Sequence, residues 1–501
     1  MPESNVSIVI FGASGDLTRR KLLPALFDLH RKRRLSESAR VVGFARREYD
    51  DEQFRELMKR AVEEANGEAP DPGAWAGFAR RLFYVTGDVE EPAHFRALDE
   101  RLRVLEGGPA GRLYYLAVSP DLYPNLVAHL GSCGMAREDG GFRRIVIEKP
   151  FGRDRESARA LNQGLLSVFQ EDQIYRIDHY LGKETAQNIL FSRFANTIWE
   201  PIWNRNYVES VQVSVLESVD VGHRAAFYDD VGVLRDMFQN HLLQLLTLVA
   251  MEPAGWLGAD AIRNEKMKVL CAIPPIPEER IPLDTVRGQY RGYREAKGVA
   301  PGSTTATYGA MKLTIENWRW HGVPFYLRSG KALAEKVTEI VIQFRTPPPL
   351  LFPHSRGSKP PENHLAICVE PDEGMHLRFE AKVPDTDAEL RPVDMEFHYA
   401  DDFQGIPIPR AYERLLLDAL HGDPSLFARS DAIDLAWKIM DPSIQAWETG
   451  NAPPLEIYEP GSAGPKSAGR LLERDERSWV RGCGGHALPS AGFGSSKTRV
   501  V

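Results

Sequence analysis

The chain is poor in cysteine, with Cys133, Cys271, Cys368 and Cys483 among 501 residues. They are scattered and form no C-x-x-C pair. Neither a disulfide framework nor a zinc site is expected, and a reducing cytoplasm suits the composition. An excess of positive charge is also missing. The formal net charge is -8, whereas a general nucleic-acid binder carries a basic footprint. That excludes a broad basic surface but not a local basic pocket for a phosphorylated molecule. Long apolar runs are absent too: the stretch at 242–251 is interrupted by Gln244 and is too short to span a bilayer. The first residues lack the basic and apolar regions of a signal peptide. No internal repeat is visible.

What remains is the composition of an ordinary globular protein, 43% hydrophobic and 26% charged, and long enough for two or more domains. The first third alternates short apolar runs, at 6–11, 41–45, 82–86, 112–118 and 144–148, with helical patterns at 19–33, 52–64, 94–105, 122–130 and 154–170. Alternation of this kind predicts an α/β unit, a Rossmann-like doubly wound parallel sheet. From about Tyr207 the pattern changes to period-2 alternation, at 208–216, 310–316, 339–344, 364–369 and 394–399. It predicts a larger α+β domain built on a mostly antiparallel sheet, one face covered and the other more polar. Helices are expected at 233–250, 410–420 and 431–447. The domains read as 1–176 and 177–480, followed by a Gly/Ser-rich, disordered tail at 481–501.

The densest chemistry lies in Arg176-Ile177-Asp178-His179-Tyr180-Leu181-Gly182-Lys183-Glu184. An element built for packing spaces apolar residues at period 3.6 or 2. This run instead groups a carboxylate, an imidazole, a phenol and an ammonium, and reads as a hinge between the domains. Gly12-Ala13-Ser14-Gly15-Asp16-Leu17 follows the first strand. Such a turn lets backbone N–H groups and a helix N-terminus meet a pyrophosphate, although two glycines do not complete G-x-G-x-x-G. Arg46, with Arg47 beside it, stands at the end of the second strand. An acid there reads a ribose 2′-hydroxyl; an arginine suits a 2′-phosphate and so NADP, against the plainer reading of a solvated basic pair. Lys149, before Pro150, ends the fifth strand, where ligands of open α/β sheets collect. In the second domain Asp236 and Asn240 share a helix face with the spacing of one turn. Spacing alone does not bring His241 to Asp178.

Taken together, Gly12–Leu17 with Lys21, Glu148–Gly152, Arg176–Glu184, Asp236–His241 and Arg328–Lys331 resemble the glucose-6-phosphate dehydrogenase family, in the family's order and over about residues 6–480. The resemblance implies oxidation of glucose 6-phosphate at C1 with hydride transfer to NADP, NAD serving as a secondary acceptor. His241 matches the general base and Asp178 the carboxylate that orients it. His179, Tyr180 and Lys183 match the phosphate site. Glu217 and Asp236 match ligands of sugar hydroxyls, and Lys331 and Lys336 further substrate lysines. Lys21 and Lys149 lie where cofactor and substrate meet. Gly12, Ser14, Gly15, Asp16, Leu17 and Arg46 line the cofactor. No metal is called for, because the nicotinamide carries the difficult chemistry. A cytoplasmic homodimer or homotetramer is implied, with neither a nucleic-acid nor a membrane partner. Two alternatives compete: another two-domain sugar dehydrogenase, and a catalytically silent relative that keeps the fold.

Overall fold

The computed structural model describes residues 5–348 and 363–483. Of the stretch read as a disordered tail, residues from 484 onward lie outside the described residues. Six strands open the chain: β1 (Val6–Phe11), β2 (Arg40–Ala45), β3 (Leu82–Thr86), β4 (Gly111–Leu116), β5 (Arg143–Ile147) and β6 (Ile174–Ile177). They pair in parallel in the order β3-β2-β1-β4-β5-β6, the doubly wound order whose ligand crevice lies at the carboxyl ends of β1 and β4, where the connections turn opposite ways. Every residue of β1 and β4 is buried, as expected for strands covered on both faces by helices. The helices are set by local signals. Asp50 and Gln53 form a reciprocal cap at the start of Asp51–Asn66, and Gly67, with φ +73°, ends it.

The second sheet contains β7 (Val208–Leu216), β8 (Thr285–Tyr290), β9 (Tyr308–Leu313), β10 (Phe325–Gly330), β11 (Val337–Phe344), β12 (His364–Glu370), β13 (Gly374–Lys382) and β14 (Leu390–His398). Two late strands complete the sheets. β15 (Phe427–Ala428) adds antiparallel to β6 at the edge of the first, and β16 (Leu455–Tyr458) pairs β8 in the second. The second sheet runs β14-β13-β12-β11-β7-β10-β9-β8-β16. It is antiparallel except at β10–β7 and β16–β8.

Three expectations need correction. No strand is expected between the helical pattern at 154–170 and the run from Arg176, yet Arg176 and Ile177 end β6, the next residues turn, and Glu184 opens the helix Glu184–Phe194. The more polar face of the second sheet is not in water at its centre. Ser210, Gln212 and Ser214 of β7 are buried. The Gln212 amide donates to the Ser478 carbonyl at 2.9 Å and accepts from Val480 N at 2.9 Å. Residues 478–483 thus strap that face. The cysteines are not all free either. Cys368 of β12 and Cys483 at the end of the strap form a disulfide, while Cys133 and Cys271 remain thiols. The pair lies 115 residues apart in sequence, and only the seating of the strap brings the two sulfurs together.

Candidate active site

The site forms between the carboxyl ends of β5 and β6, the helix after β7, and the turns after β10 and β12. β6 runs into Asp178, whose carboxylate accepts a hydrogen bond from Tyr180 N at 3.0 Å and so folds the turn around itself. From the second domain the segment Leu234–Leu242 enters, wound as a π-helix and continued by the α-helix Leu243–Ala250. Single π-turns recur at functional sites because they re-aim side chains. This one carries both Asp236 and His241.

Asp178 and His241, 63 residues apart, meet at 2.6 Å between Oδ1 and Nδ1. Their side chains are 2% and 1% exposed. The carboxylate accepts a hydrogen bond from Nδ1–H, which leaves the Nε2 lone pair pointing the other way. There it accepts from the Lys149 ammonium at 2.7 Å. Lys149 also donates to the Asp236 carbonyl at 2.8 Å and to Asp236 Oδ1 at 3.1 Å. Asp236 Oδ2 lies 3.8 Å from Lys331 Nζ, and Lys331 donates to Glu217 as well. One continuous chain of polar contacts therefore runs Asp178, His241, Lys149, Asp236, Lys331, Glu217. His179 and Tyr180 pack their rings on His241, with centroids 4.7 and 4.4 Å away.

Burial dominates the protonation of this corner. It pushes the Asp178 carboxyl up, but the His241 ring and its hydrogen bond, with His179 and Lys149, more than offset it and hold Asp178 below the usual carboxylate range. Burial likewise opposes ionisation of Asp236, and Lys149 and Lys331 reverse it. For His241 burial prevails over the pull of Asp178, so the imidazole stays neutral below its ordinary pKa. His179 is held lower still, by burial and then by His241 and Lys149. Asp178, His179 and His241 place one ligand-type atom each within 4.8 Å of one another. The Lys149 ammonium against His241 Nε2 opposes a metal cation there, and the arrangement is that of a neutral base held by a carboxylate.

Of the expected phosphate residues, His179 and Tyr180 stay against His241 and Lys183 points away from this corner. Lys183 caps the start of Glu184–Phe194 and lays its ammonium over the Tyr180 ring, 4.3 Å from the centroid. It pairs with Glu370 at 2.7 Å, as does Lys336. Lys21 reaches the same place from the nucleotide side. The residue as a whole is exposed, but partial desolvation of its ammonium, then the charges of Arg20 and Arg410, lower its pKa against the pull of Glu370.

The nucleotide loop fits its expected ligand. Gly12 has φ +87°, and a Cβ there would lie 2.4 Å from the Ala117 carbonyl oxygen. Gly15 N–H donates back to Gly12 O at 2.9 Å. The N–H groups of Ser14, Asp16 and Leu17 find no acceptor among the described residues, the open donor set of an anion-binding helix start. Arg46 is exposed at the end of β2 without an ion pair among the described residues. The Asp16 carboxylate pairs with Arg20 at 3.4 Å.

Three further charged groups stand around the site: Glu148 opens the Glu148–Gly152 run but is assigned no role by it, and Glu370 and Lys266 carry no sequence signal of their own. Glu370 ends β12 before a proline. Glu148 is partly buried and accepts from the Tyr115 hydroxyl; desolvation of its carboxyl pushes the pKa up. Lys266, on the helix Ala259–Cys271, is 6% exposed and within the field of Asp178; burial lowers its pKa to about 8. Asp178 Oδ2 has no hydrogen-bond partner among the described residues.

Comparison with known proteins places this geometry. The model of the glucose-6-phosphate dehydrogenase NAD-binding domain matches residues 9–188, and that of the C-terminal domain residues 190–480. The glucose-6-phosphate 1-dehydrogenase of Aggregatibacter actinomycetemcomitans is 45% identical over 500 residues, 97% of this chain and 99% of that protein. That of Mycolicibacterium smegmatis is 41% identical over 494 residues, 96% and 98% of the two chains. Among solved structures, a glucose-6-phosphate dehydrogenase in complex with its substrate glucose 6-phosphate superposes with a TM-score of 0.88 at 35% identity, over 95% of this chain and 99% of that one. The glucose-6-phosphate 1-dehydrogenase of Mycobacterium avium gives a TM-score of 0.82 at 37% identity, with the same coverage.

Proposed function

The chain belongs to the glucose-6-phosphate dehydrogenase family, and we propose that it oxidises D-glucose 6-phosphate at C1 to 6-phospho-D-glucono-1,5-lactone, the entry step of the oxidative pentose phosphate pathway. NADP⁺ is the main hydride acceptor in this reading and NAD⁺ a secondary one. The Asp178–His241 contact carries the assignment: a neutral imidazole, buried, with its Nδ1–H donated to a carboxylate and its Nε2 lone pair turned toward the carboxyl end of β5. Such an imidazole takes the proton of the C1 hydroxyl as the hydride leaves C1, and Asp178 stabilises the imidazolium that forms. When bound, the nicotinamide supplies the acceptor for the hydride. To reach Nε2, the sugar hydroxyl takes the place now held by the Lys149 ammonium. That releases Lys149 to donate to the sugar while it stays anchored on Asp236. Glu217 and Asp236 accept from sugar hydroxyls, and Lys331 stands beside both carboxylates. Lys183, His179 and Tyr180 face the phosphate, with Lys336 and Lys21 at its rim.

Arg46 favours the 2′-phosphate of NADP⁺. It is an exposed cation with no ion pair among the described residues, at the end of β2, where an NAD enzyme places an acid. The exposed Cys271 thiol suits a reducing cytoplasm, and the disulfide is shielded, with Cys368 0% and Cys483 6% exposed. No helix among the described residues is long and apolar enough to cross a membrane. A homodimer or homotetramer built through the β13–β14 side of the second sheet accounts for the exposure of Val393 and Met395. Steady-state assay with glucose 6-phosphate or glucose, and with NADP⁺ or NAD⁺, tests the reading. A large preference for the phosphorylated sugar and for NADP⁺ is expected. Equal kcat/KM for the two sugars overturns the substrate, and equal values for the two dinucleotides overturns the role of Arg46.

A further inference from the structure

The phosphate side of the site already contains an anion. Glu370, at the end of β12, holds the Lys183 ammonium at 2.7 Å with Oε2 and the Lys336 ammonium at 2.7 Å with Oε1. A carboxylate that bridges two ammoniums in this way makes the same contacts as two oxygens of a phosphate. Lys21 also lies within its field. The other charged groups nearby have partners of their own or carry the wrong sign to replace it. Glu335 pairs with Arg481 at 3.3 Å, Asp372 pairs with His398 at 3.0 Å, Arg410 is drawn to Asp28 at 3.6 Å, and Glu373 is a second carboxyl whose ionisation burial and then Glu370 oppose.

We infer that Glu370 is an internal anion which the phosphate of the sugar substrate displaces from Lys183 and Lys336, so that this residue sets the affinity for phosphorylated substrate. The inference rests on the assignment of Lys183 to the substrate phosphate. Displacement is feasible because both pairs are partly in water: the Lys183, Lys336 and Glu370 side chains are 19%, 53% and 29% exposed. Ion pairs so placed are weak and exchange readily. A dianion attracts each ammonium more strongly than a carboxylate does. Glu370 is tethered, however. After displacement it remains beside the bound phosphate and repels it, whereas a glutamine there keeps the hydrogen-bonding oxygen without the charge. Although burial opposes its ionisation, the two lysines hold the Glu370 carboxyl below the usual range, so the charge is present throughout the neutral range.

The test is Glu370→Gln, which preserves shape. KM for glucose 6-phosphate should fall roughly tenfold, the scale of one charge-assisted contact, by more than any change in kcat. The competitive Ki of inorganic phosphate should fall in parallel. Thermal stabilisation by inorganic phosphate, read without turnover, should increase over wild type. A higher KM in the variant overturns the inference and makes Glu370 a strut that holds the lysines in place. An unchanged KM with unchanged phosphate inhibition also overturns it. Wild-type protein that does not oxidise glucose 6-phosphate defeats the functional reading itself; an active wild type inhibited by phosphate, with an indifferent variant, defeats only the role of Glu370.

Discussion

The two ends of the Asp178–Lys183 turn follow opposite designs. At one end, Asp178 and His241 are 2% and 1% exposed and every partner is internal. At the other, Lys183 and Glu370 are 19% and 29% exposed, and Lys336 is half in water. In the dry corner each contact acts in a low dielectric, so protonation states are displaced and directions fixed. At the wet end the pairs are exchangeable. The difference matches the two tasks: a proton must leave along one defined line, while a phosphate must enter and leave in every cycle.

Removing the base breaks the dry end most completely. His241→Asn should lower kcat by about 10³-fold or more with little change in KM, since it deletes proton transfer and no phosphate ligand. Steady-state kinetics checks it, and an unchanged kcat refutes the assignment. Asp178→Asn comes next. It leaves the ring in place but removes the charge that selects the tautomer and supports the imidazolium; a fall in kcat of about 10²- to 10⁴-fold is expected. Lys183→Ala probes the wet end, where the same kinetics should show KM for glucose 6-phosphate up by roughly tenfold or more, a larger effect than on kcat. A change confined to kcat would merge the two ends and contradict the division.

The pH profile sharpens the contrast with a smaller effect. Burial lowers the His241 pKa, Asp178 raises it and Lys149 lowers it further. The active form is the neutral one. A lowered pKa therefore carries full activity to more acidic pH, and the acid limb of kcat/KM should lie below 6.5, the ordinary histidine value. Lys149→Met removes a cation that disfavours imidazolium, so the limb should move upward in the residual activity of that variant. Movement downward would place the Lys149 ammonium away from His241 during catalysis.

Much of this contrast was hidden in the sequence, for physical reasons. β1, β2, β4 and β5 are legible because strands buried on both faces are nearly continuous apolar runs. β6 is not: it is four residues long, and its Arg176 is buried against Glu171 and Asn162. The π-wound segment reads as plain helix because its apolar spacing hardly differs from that of an α-helix. β13 was missed because most of its residues are only partly buried. The run around Asp178 was recognisable by its chemistry, yet its coupling to His241 depends on how Leu234–Leu242 docks, which no spacing encodes. Glu370 was invisible because a glutamate before a proline has no pattern; it gains meaning only when β12 ends between Lys183 and Lys336.

Lys266 extends the comparison into the protein interior, with the smallest expected effect on turnover. Its ammonium is buried, and no ion pair or hydrogen bond holds it among the described residues. Burial, the largest influence, lowers its pKa to about 8, against the partial pull of Asp178. The unfolded chain therefore binds this proton more tightly than the folded one. Between pH 8 and the ordinary lysine value of 10.5 the unfolded state carries more protons, so stability should rise with pH across that window. Below it, the full cost is present, of the order of 3 kcal/mol for a displacement of this size. Lys266→Met keeps the volume and removes the charge. Its thermal midpoint at neutral pH should exceed that of wild type, and the rise of stability between pH 8 and 10.5 should flatten. If the midpoint falls instead, the attraction of Asp178 outweighs burial, and the ammonium is a working part of the dry corner rather than a charge stranded beside it.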